Sequence, residues 1–84
     1  MNSQEMPKYK CHKSVWALKI KNIYIKPAGG ATITPEEDDF SPFDVEADYV
    51  SKHQPENGGY YVLYPGGYKS YSPADAFEDG YVLI

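Results

Sequence analysis

The chain has 84 residues and a formal net charge of −4, and its eight basic residues are all lysines. A chain of this length forms one small domain with a limited core, its single cysteine excludes an internal disulfide, and the lack of arginine argues against direct DNA or RNA binding. Its apolar runs are too short to span a membrane and no signal peptide precedes them, so we expect a soluble intracellular protein.

The N-terminal third of the chain predicts a strand. Residues 1–7 are polar and we predict that they are disordered, whereas residues 8–84 form a single β-rich domain. In residues 15–25, lysines alternate with a face made of Trp16, Leu18, Ile20 and Tyr24. This spacing is the period of a strand, and the β-branched residues favour it, but a helix also gathers several of these side chains. Both interpretations stay open for this segment.

An acidic run occupies residues 36–48, which contain seven carboxylates and no basic residue. It follows a short predicted strand at residues 31–34 and begins with an exposed loop made of Glu36, Glu37, Asp38 and Asp39. Two interpretations remain for the run: a solvated loop, or an acidic surface that a basic partner binds. Phe40 and Phe43 are predicted to fold back onto the body of the protein. Residues 44–53 fit either a strand or a helical turn.

The clearest structural signals lie in the C-terminal part of the chain. Residues 60–64 and 68–71 are runs of β-forming residues, and Pro65-Gly66-Gly67 between them has the composition of a turn. This pattern predicts a β-hairpin. A short helix is predicted next, with Ser72 as the N-cap, and Gly80 ends it before a last strand.

These elements predict an α+β fold. We expect a small β-rich domain, built from an antiparallel sheet of four to five strands with one short C-terminal helix at residues 72–79. Both faces of the first hairpin strand are aromatic or apolar, and a domain this thin has room to bury one of them. A half-solvated tyrosine face is one outcome. The other is a homo-oligomer whose interface is Tyr60, Tyr61, Val62, Leu63 and Tyr64.

A ligand site is predicted where the hairpin runs into the helix, at Tyr68, Lys69, Ser70, Tyr71 and Ser72. Aromatic faces can stack on a base, Lys69 and the hydroxyls can bind phosphate, and the free N–H groups at a helix start favour an anion. Ordinary hairpin packing explains the same residues without a ligand. No set of residues has catalytic spacing, so we expect no enzyme, no cofactor and no metal site.

Three segments carry a resemblance to known proteins. His-Lys-Ser-Val-Trp-Ala-Leu-Lys-Ile (12–20), Tyr-Val-Ser-Lys-His-Gln-Pro (49–55) and the stretch 58–81 resemble small accessory proteins encoded by tailed phages and prophages. The C-terminal hairpin, followed by Ser-Pro-Ala-Asp-Ala-Phe-Glu-Asp-Gly-Tyr-Val, is similar to the end of phage anti-Thoeris sponge proteins. Those proteins are oligomers that sequester a signalling nucleotide, and the tryptophan of their closing segment has no counterpart here.

The resemblance implies a phage product in the cytoplasm of a bacterial host. Together with the predicted ligand site, it leads us to expect a non-enzymatic binding protein that counters a bacterial defence system. The protein would sequester a nucleotide second messenger or block a host defence protein. The alternative is a structural or assembly accessory of the virion. Genes for counter-defence cluster with early, dispensable genes, whereas a virion role predicts neighbours that encode head or tail proteins.

Overall fold

A long strand organises a curled antiparallel sheet with a short helix on each face. The computed structural model describes residues 6–10 and 14–83. In chain order, its elements are β1 (Lys8–Lys10), β2 (Ser14–Ile25), β3 (Ala31–Pro35), β4 (Phe43–Val45), α1 (Ala47–His53), β5 (Tyr60–Leu63), β6 (Lys69–Ser72), α2 (Ala74–Gly80) and β7 (Val82–Leu83). The predicted α+β class and the antiparallel sheet are confirmed, and α1 and the shortest strands are additional.

The long strand β2 has different neighbours along its two halves. Its N-terminal half lies between β1 and β5, so that Trp16 faces Lys8 on one side and Leu63 on the other. Its C-terminal half pairs with β3, after a β-bulge between Ile20 and Asn22. The strand interpretation of residues 15–25 is therefore confirmed. β4 continues the sheet from β3, β6 continues it from β5, and β7 pairs with β1.

Helix α1 lies between the two ends of the curled sheet. Tyr49 Oη donates a hydrogen bond of 2.6 Å to the carbonyl oxygen of Ser70 in β6, and the chain enters α1 directly from β4. The charges of Asp48 in the first turn and Lys52 in the last turn match the helix dipole. The sequence left both a strand and a helix open for residues 44–53. The structure contains both, because this segment includes the end of strand β4 and the whole of helix α1.

Two apolar cores lie on opposite faces of the sheet, because successive residues of a strand point to opposite sides. The first core contains Ile20, Ala31, Ile33, Val45, Tyr49 and Tyr61. The second core contains Val15, Ala17, Tyr60, Val62 and Phe77. Strand β5 therefore contributes to both, and each helix closes one core with one aromatic ring: α1 with Tyr49 and α2 with Phe77.

The predicted start of the C-terminal helix is wrong by one residue. Pro73, rather than Ser72, is the N-cap, because its ψ of 152° is extended and the helical residues begin at Ala74. Ser72 is the last residue of β6, and its hydroxyl donates a 3.3 Å hydrogen bond to the carbonyl oxygen of Pro73 instead of capping the helix. Gly80, predicted to end the helix, is its last residue.

The predicted disorder of residues 1–7 falls partly outside the described residues, which begin at Met6. The Met6 side chain packs against the first core, and the Pro7 carbonyl oxygen accepts a 3.0 Å hydrogen bond from the Ala17 N–H. For residues 1–5 the disorder stays a prediction. In the part of the chain that the structure describes, no helix has the length and apolar character needed to cross a membrane.

Candidate functional site

A cleft of about 390 Å³ lies between α1 and the turn that joins β5 to β6. The hairpin side contributes Tyr68 and Lys69, and the helix side contributes Lys52 and His53. Lys52 Nζ lies 5.1 Å from the centroid of the Tyr68 ring, and the His53 ring meets Tyr68 edge-on at 6.1 Å. The structure thus brings two of the predicted ligand residues together with a helix that sequence reasoning did not connect to them.

The electrostatics of this cleft are mixed. Burial, followed by the charge of Lys52, lowers the pKa of His53, while a hydrogen bond to the Lys69 backbone opposes that shift. Hydrogen bonds from Lys26 and Thr32 hold the pKa of Asp44, which also lines the cleft, below its usual value. The cleft therefore presents a neutral imidazole, aromatic rings and charges of both signs. Such a lining suits hydrogen bonding and stacking, and it does not select anions.

The other three predicted ligand residues lie outside this cleft. The Tyr71 ring packs against the first core, so closely to Gly59 that a Cβ on that glycine would overlap the ring. The carbonyl oxygen of Ser70 accepts the Tyr49 hydrogen bond, and the Ser72 hydroxyl bonds to Pro73. The structure therefore does not gather the five residues into one site. Among the residues it describes, no three His, Cys, Asp or Glu side chains form a metal-binding group.

An apolar groove of about 270 Å³ lies on the first-core face, beside the acidic loop. Its lining comes from separate parts of the chain: Met6, Leu18, Phe40, Ser41, Phe43 and Tyr61. The rings of Phe43 and Tyr61 meet edge-on, with centroids 4.8 Å apart. Phe40 connects the groove to the acidic loop, because its N–H donates a 3.2 Å hydrogen bond to the Glu37 carbonyl oxygen. Both phenylalanines fold back onto the body, as the sequence predicts.

The four predicted acidic residues, 36–39, are exposed and directly precede Phe40 and Ser41, which line the groove, so they form a negative rim beside it. Within the described residues, none of their carboxylates forms an ion pair or a side-chain hydrogen bond. Ion pairs occur elsewhere, between Lys19 and Glu78 at 3.2 Å and between Lys26 and Asp44 at 2.7 Å. The loop charge is therefore not neutralised by these lysines. Sequence reasoning identified this rim but missed the apolar groove beside it.

The predicted oligomer interface is mostly buried within the single chain. Tyr60, Tyr61 and Val62 are 6%, 7% and 3% exposed, while Leu63 and Tyr64 are half-buried. The expectation that a thin domain buries one face of this strand is wrong, because a helix covers a core on each side of the sheet. The apolar character of β5 consequently needs no second subunit to explain it. The oligomeric state of the protein stays a prediction.

One comparison identifies a similar solved structure. The NMR solution structure of the monomeric form of the phage L decoration protein matches 95% of this chain with a TM-score of 0.72 and 29% sequence identity. The chain spans 60% of the length of that protein. No protein-family model and no curated protein matches the chain.

This match supports the phage origin that the resemblance implies, but it corrects the expected function. A decoration protein is a structural component, whereas we expected a protein that sequesters a nucleotide or blocks a host defence protein. That expectation is wrong, and the likeness to anti-Thoeris sponge proteins has no support. The alternative, a structural accessory of the virion, is the interpretation that the match favours.

Proposed function

We propose that this chain is a structural accessory protein of a phage virion and that it binds the surface of the capsid. The observation that carries the proposal is the match to the phage L decoration protein. A shared fold alone does not define a function, because one fold can carry many binding sites. Here 29% of the residues are also identical, over 95% of the chain, so the likeness includes the sequence as well as the fold.

The surface of the domain suits a binding role of this kind. The groove and the cleft both lie around the first core, and the charged residues of the loop are available to a partner. Stable protein interfaces combine a buried apolar contact with a polar rim, which is the composition of the groove and its loop. In this proposal the chain is made in the cytoplasm of the bacterial host and joins particles there.

Self-association would strengthen capsid binding. A capsid presents the same protein surface many times, so a homo-oligomer can contact several capsid subunits at once. Linked contacts raise the overall affinity by about 10²–10⁴-fold over a single contact when the geometry permits them. We therefore retain a homo-oligomer as part of the proposal, without the interface through β5 that the sequence suggested.

The test is binding to particles that lack the protein. Virions are prepared from the phage that encodes the chain after deletion of its gene, and purified protein is added before sedimentation through a sucrose gradient. We expect saturable binding with a fixed number of copies per particle, and added density on the capsid surface in electron cryomicroscopy. Virions of an unrelated phage serve as the control. Absence of binding at about 100 μM protein, where even weak interfaces are occupied, would contradict the proposal.

A further inference from the structure

The size and lining of the groove beside the acidic loop suit a protein side chain better than a small molecule. Pockets that enclose small ligands usually have volumes of about 300–1,000 Å³. The groove, at about 270 Å³, is below that range, and Leu18, Phe43 and Tyr61 supply an apolar lining. Hot spots of protein interfaces commonly consist of one aromatic or aliphatic side chain that enters such a depression.

The negative rim of the groove favours a binding partner that carries positive charge. The loop is fixed at its start by a 2.8 Å hydrogen bond from the Glu36 N–H to the Lys19 carbonyl oxygen. The Lys19 side chain is engaged elsewhere, because its Nζ lies 3.1 Å from the Gly58 carbonyl oxygen and 3.2 Å from Glu78. The four loop carboxylates lie on consecutive exposed residues, so they act together on a charge that approaches within the Debye length of about 8 Å.

We propose that this groove is the docking site for a basic segment of the capsid protein. An aliphatic or aromatic side chain of that segment enters the groove, and flanking lysine or arginine side chains meet the carboxylates of residues 36–39. The inference rests on the proposed function and names the surface that performs it. The apolar anchor determines how long the complex lasts, and the complementary charges raise the association rate and fix the orientation.

A second copy of this chain fits the same groove poorly. Among the lysines whose side chains the structure describes, Lys19 and Lys26 form ion pairs, and Lys8 and Lys52 lie over aromatic rings at 5.2 and 5.1 Å. Exposed large apolar side chains occur at Tyr24, Ile25 and Tyr68. The exposed lysines near them in sequence that form no ion pair among the described residues are Lys21, beside Tyr24 and Ile25, and Lys69, beside Tyr68. Each of these two regions of a copy would thus offer one such cation to four carboxylates.

The experiment compares two double charge reversals of equal size. In the loop variant, Glu37→Lys and Asp38→Lys reverse the rim. In the control, Glu56→Lys and Asp79→Lys reverse two exposed acids that do not line the groove. Virions without the protein are titrated with each variant at about 50 mM and about 300 mM sodium chloride, because salt screens exposed charges. Phe40→Ala, which removes a side chain from the groove wall, is measured in parallel.

We expect the loop variant to bind at least about tenfold more weakly than the native protein at low salt, and the control within about twofold. Phe40→Ala is expected to weaken binding by about tenfold at both salt concentrations, because its loss is apolar. The native affinity should fall as salt rises, and the affinity of the loop variant should change little. Thermal unfolding shows whether each variant is folded. Among the described residues, the loop carboxylates form no ion pair or side-chain hydrogen bond that the reversal would break.

The outcomes separate this inference from the proposed function. If the native protein binds particles and the loop variant binds equally well, the groove is not the docking site, and capsid binding stands. If the native protein does not bind, both proposals fail. Light scattering is carried out on the same variants. A loop variant that loses self-association but keeps its particle binding would show that the groove holds a second copy, which also overturns the inference.

Discussion

The two apolar cores lie on opposite faces of one sheet, but different contacts close them. In the first core, α1 is held by the hydrogen bond from Tyr49 to the Ser70 carbonyl oxygen. In the second core, aromatic rings stack in series: the centroids of Tyr60 and Phe77 are 4.2 Å apart, and those of Phe77 and Tyr81 are 4.5 Å apart. Each closure includes a hydrogen bond from a tyrosine hydroxyl, because Tyr60 Oη donates to Glu78 of α2 at 2.9 Å. The second closure adds closely stacked rings, whereas the Tyr49 and Tyr61 rings of the first are tilted, with centroids 5.8 Å apart.

The two cores also differ in the surfaces that lie beside them. The cleft and the groove are both lined by residues of the first core or packed against it, including Tyr49 in the cleft and Tyr61 in the groove. The second core is bordered by Glu78, which accepts a 2.9 Å hydrogen bond from Tyr60 Oη and pairs with Lys19. We infer that the second core chiefly stabilises the sheet and that the first-core side presents the surfaces for partners.

The largest effect is expected from removing the Phe77 ring, which tests whether the second core chiefly stabilises the sheet. Phe77 is 1% exposed, and Phe77→Ala is expected to lower the free energy of unfolding by about 3–5 kcal/mol. That is a large part of the total stability of a small domain, so we expect a substantial unfolded fraction of the variant at about 37 °C. Urea denaturation followed by circular dichroism measures the change. Ala76→Ser, at an exposed position of the same helix, is the control, and a loss below about 1 kcal/mol for Phe77→Ala would contradict this role of the second core.

A second variant tests the close packing of the first core. A Cβ at Gly59 would overlap the Tyr71 ring, so Gly59→Ala is expected to cost about 1–3 kcal/mol of unfolding free energy. Gly66 is the matched control, because a Cβ there has no atom within 4 Å and the residue has no positive φ. Gly66→Ala should be neutral or stabilising by up to about 1 kcal/mol. Equal effects of the two variants in thermal unfolding would show that the Tyr71 ring moves aside freely.

The sequence predicts those parts of the fold that have local signals. The turn at residues 65–67 and the alternation in residues 15–25 correctly predict a hairpin and a strand. The covering of both sheet faces has no local signal, since it depends on how α1 and α2 fold back. The aromatic residues Tyr60 and Tyr61 therefore suggested a subunit interface, although each has its own core within the chain.

The candidate sites, too, were predictable only where their residues are neighbours in the sequence. The acidic rim is contiguous in the sequence and was found there. The groove combines Met6, Leu18, Phe43 and Tyr61, which the pairing of distant strands brings together, and no spacing in the sequence relates them. Tyr68 and Lys69 were identified on the hairpin, but their contacts with α1 depend on tertiary packing. Helix α1 itself was one of two open interpretations of its segment.

Removal of the hydrogen bond that holds α1 is expected to lower the free energy of unfolding by a smaller amount. Burial raises the pKa of the Tyr49 hydroxyl, so it stays protonated and donates to Ser70 throughout the neutral range. Tyr49→Phe keeps the ring and removes the donor, and we expect a loss of about 0.5–1.5 kcal/mol in urea denaturation. Tyr24→Phe is the control, because Tyr24 is 60% exposed and should show no change. A loss from Tyr49→Phe as large as that from Phe77→Ala would remove the contrast between the two closures.

The smallest expected effect is a dependence of stability on pH through His53. Its pKa in the folded protein lies below the ordinary value of 6.5, because burial and then Lys52 disfavour the charged imidazole. As the pH falls below 6.5, the unfolded chain therefore takes up a proton before the folded chain does. The stability that His53 contributes is complete above this value and declines as the pH falls towards the folded pKa. Asp44 and Glu78 have lowered pKa values and ordinary values of 3.8 and 4.5, so their contributions are lost at lower pH.

The measurement is urea denaturation at about pH 7 and about pH 5.5, where carboxyls with ordinary pKa values of 3.8 and 4.5 are still almost fully ionised. The chain has two histidines, so His12→Gln is introduced into both proteins that are compared and leaves His53 as the titrating imidazole. We expect the urea midpoint to be lower at the acidic pH, by less than the change caused by Tyr49→Phe. The further substitution His53→Gln should reduce this difference. If His53→Gln leaves the difference between the two urea midpoints unchanged, other groups cause the pH dependence, and α1 tolerates a charged imidazole beside Lys52.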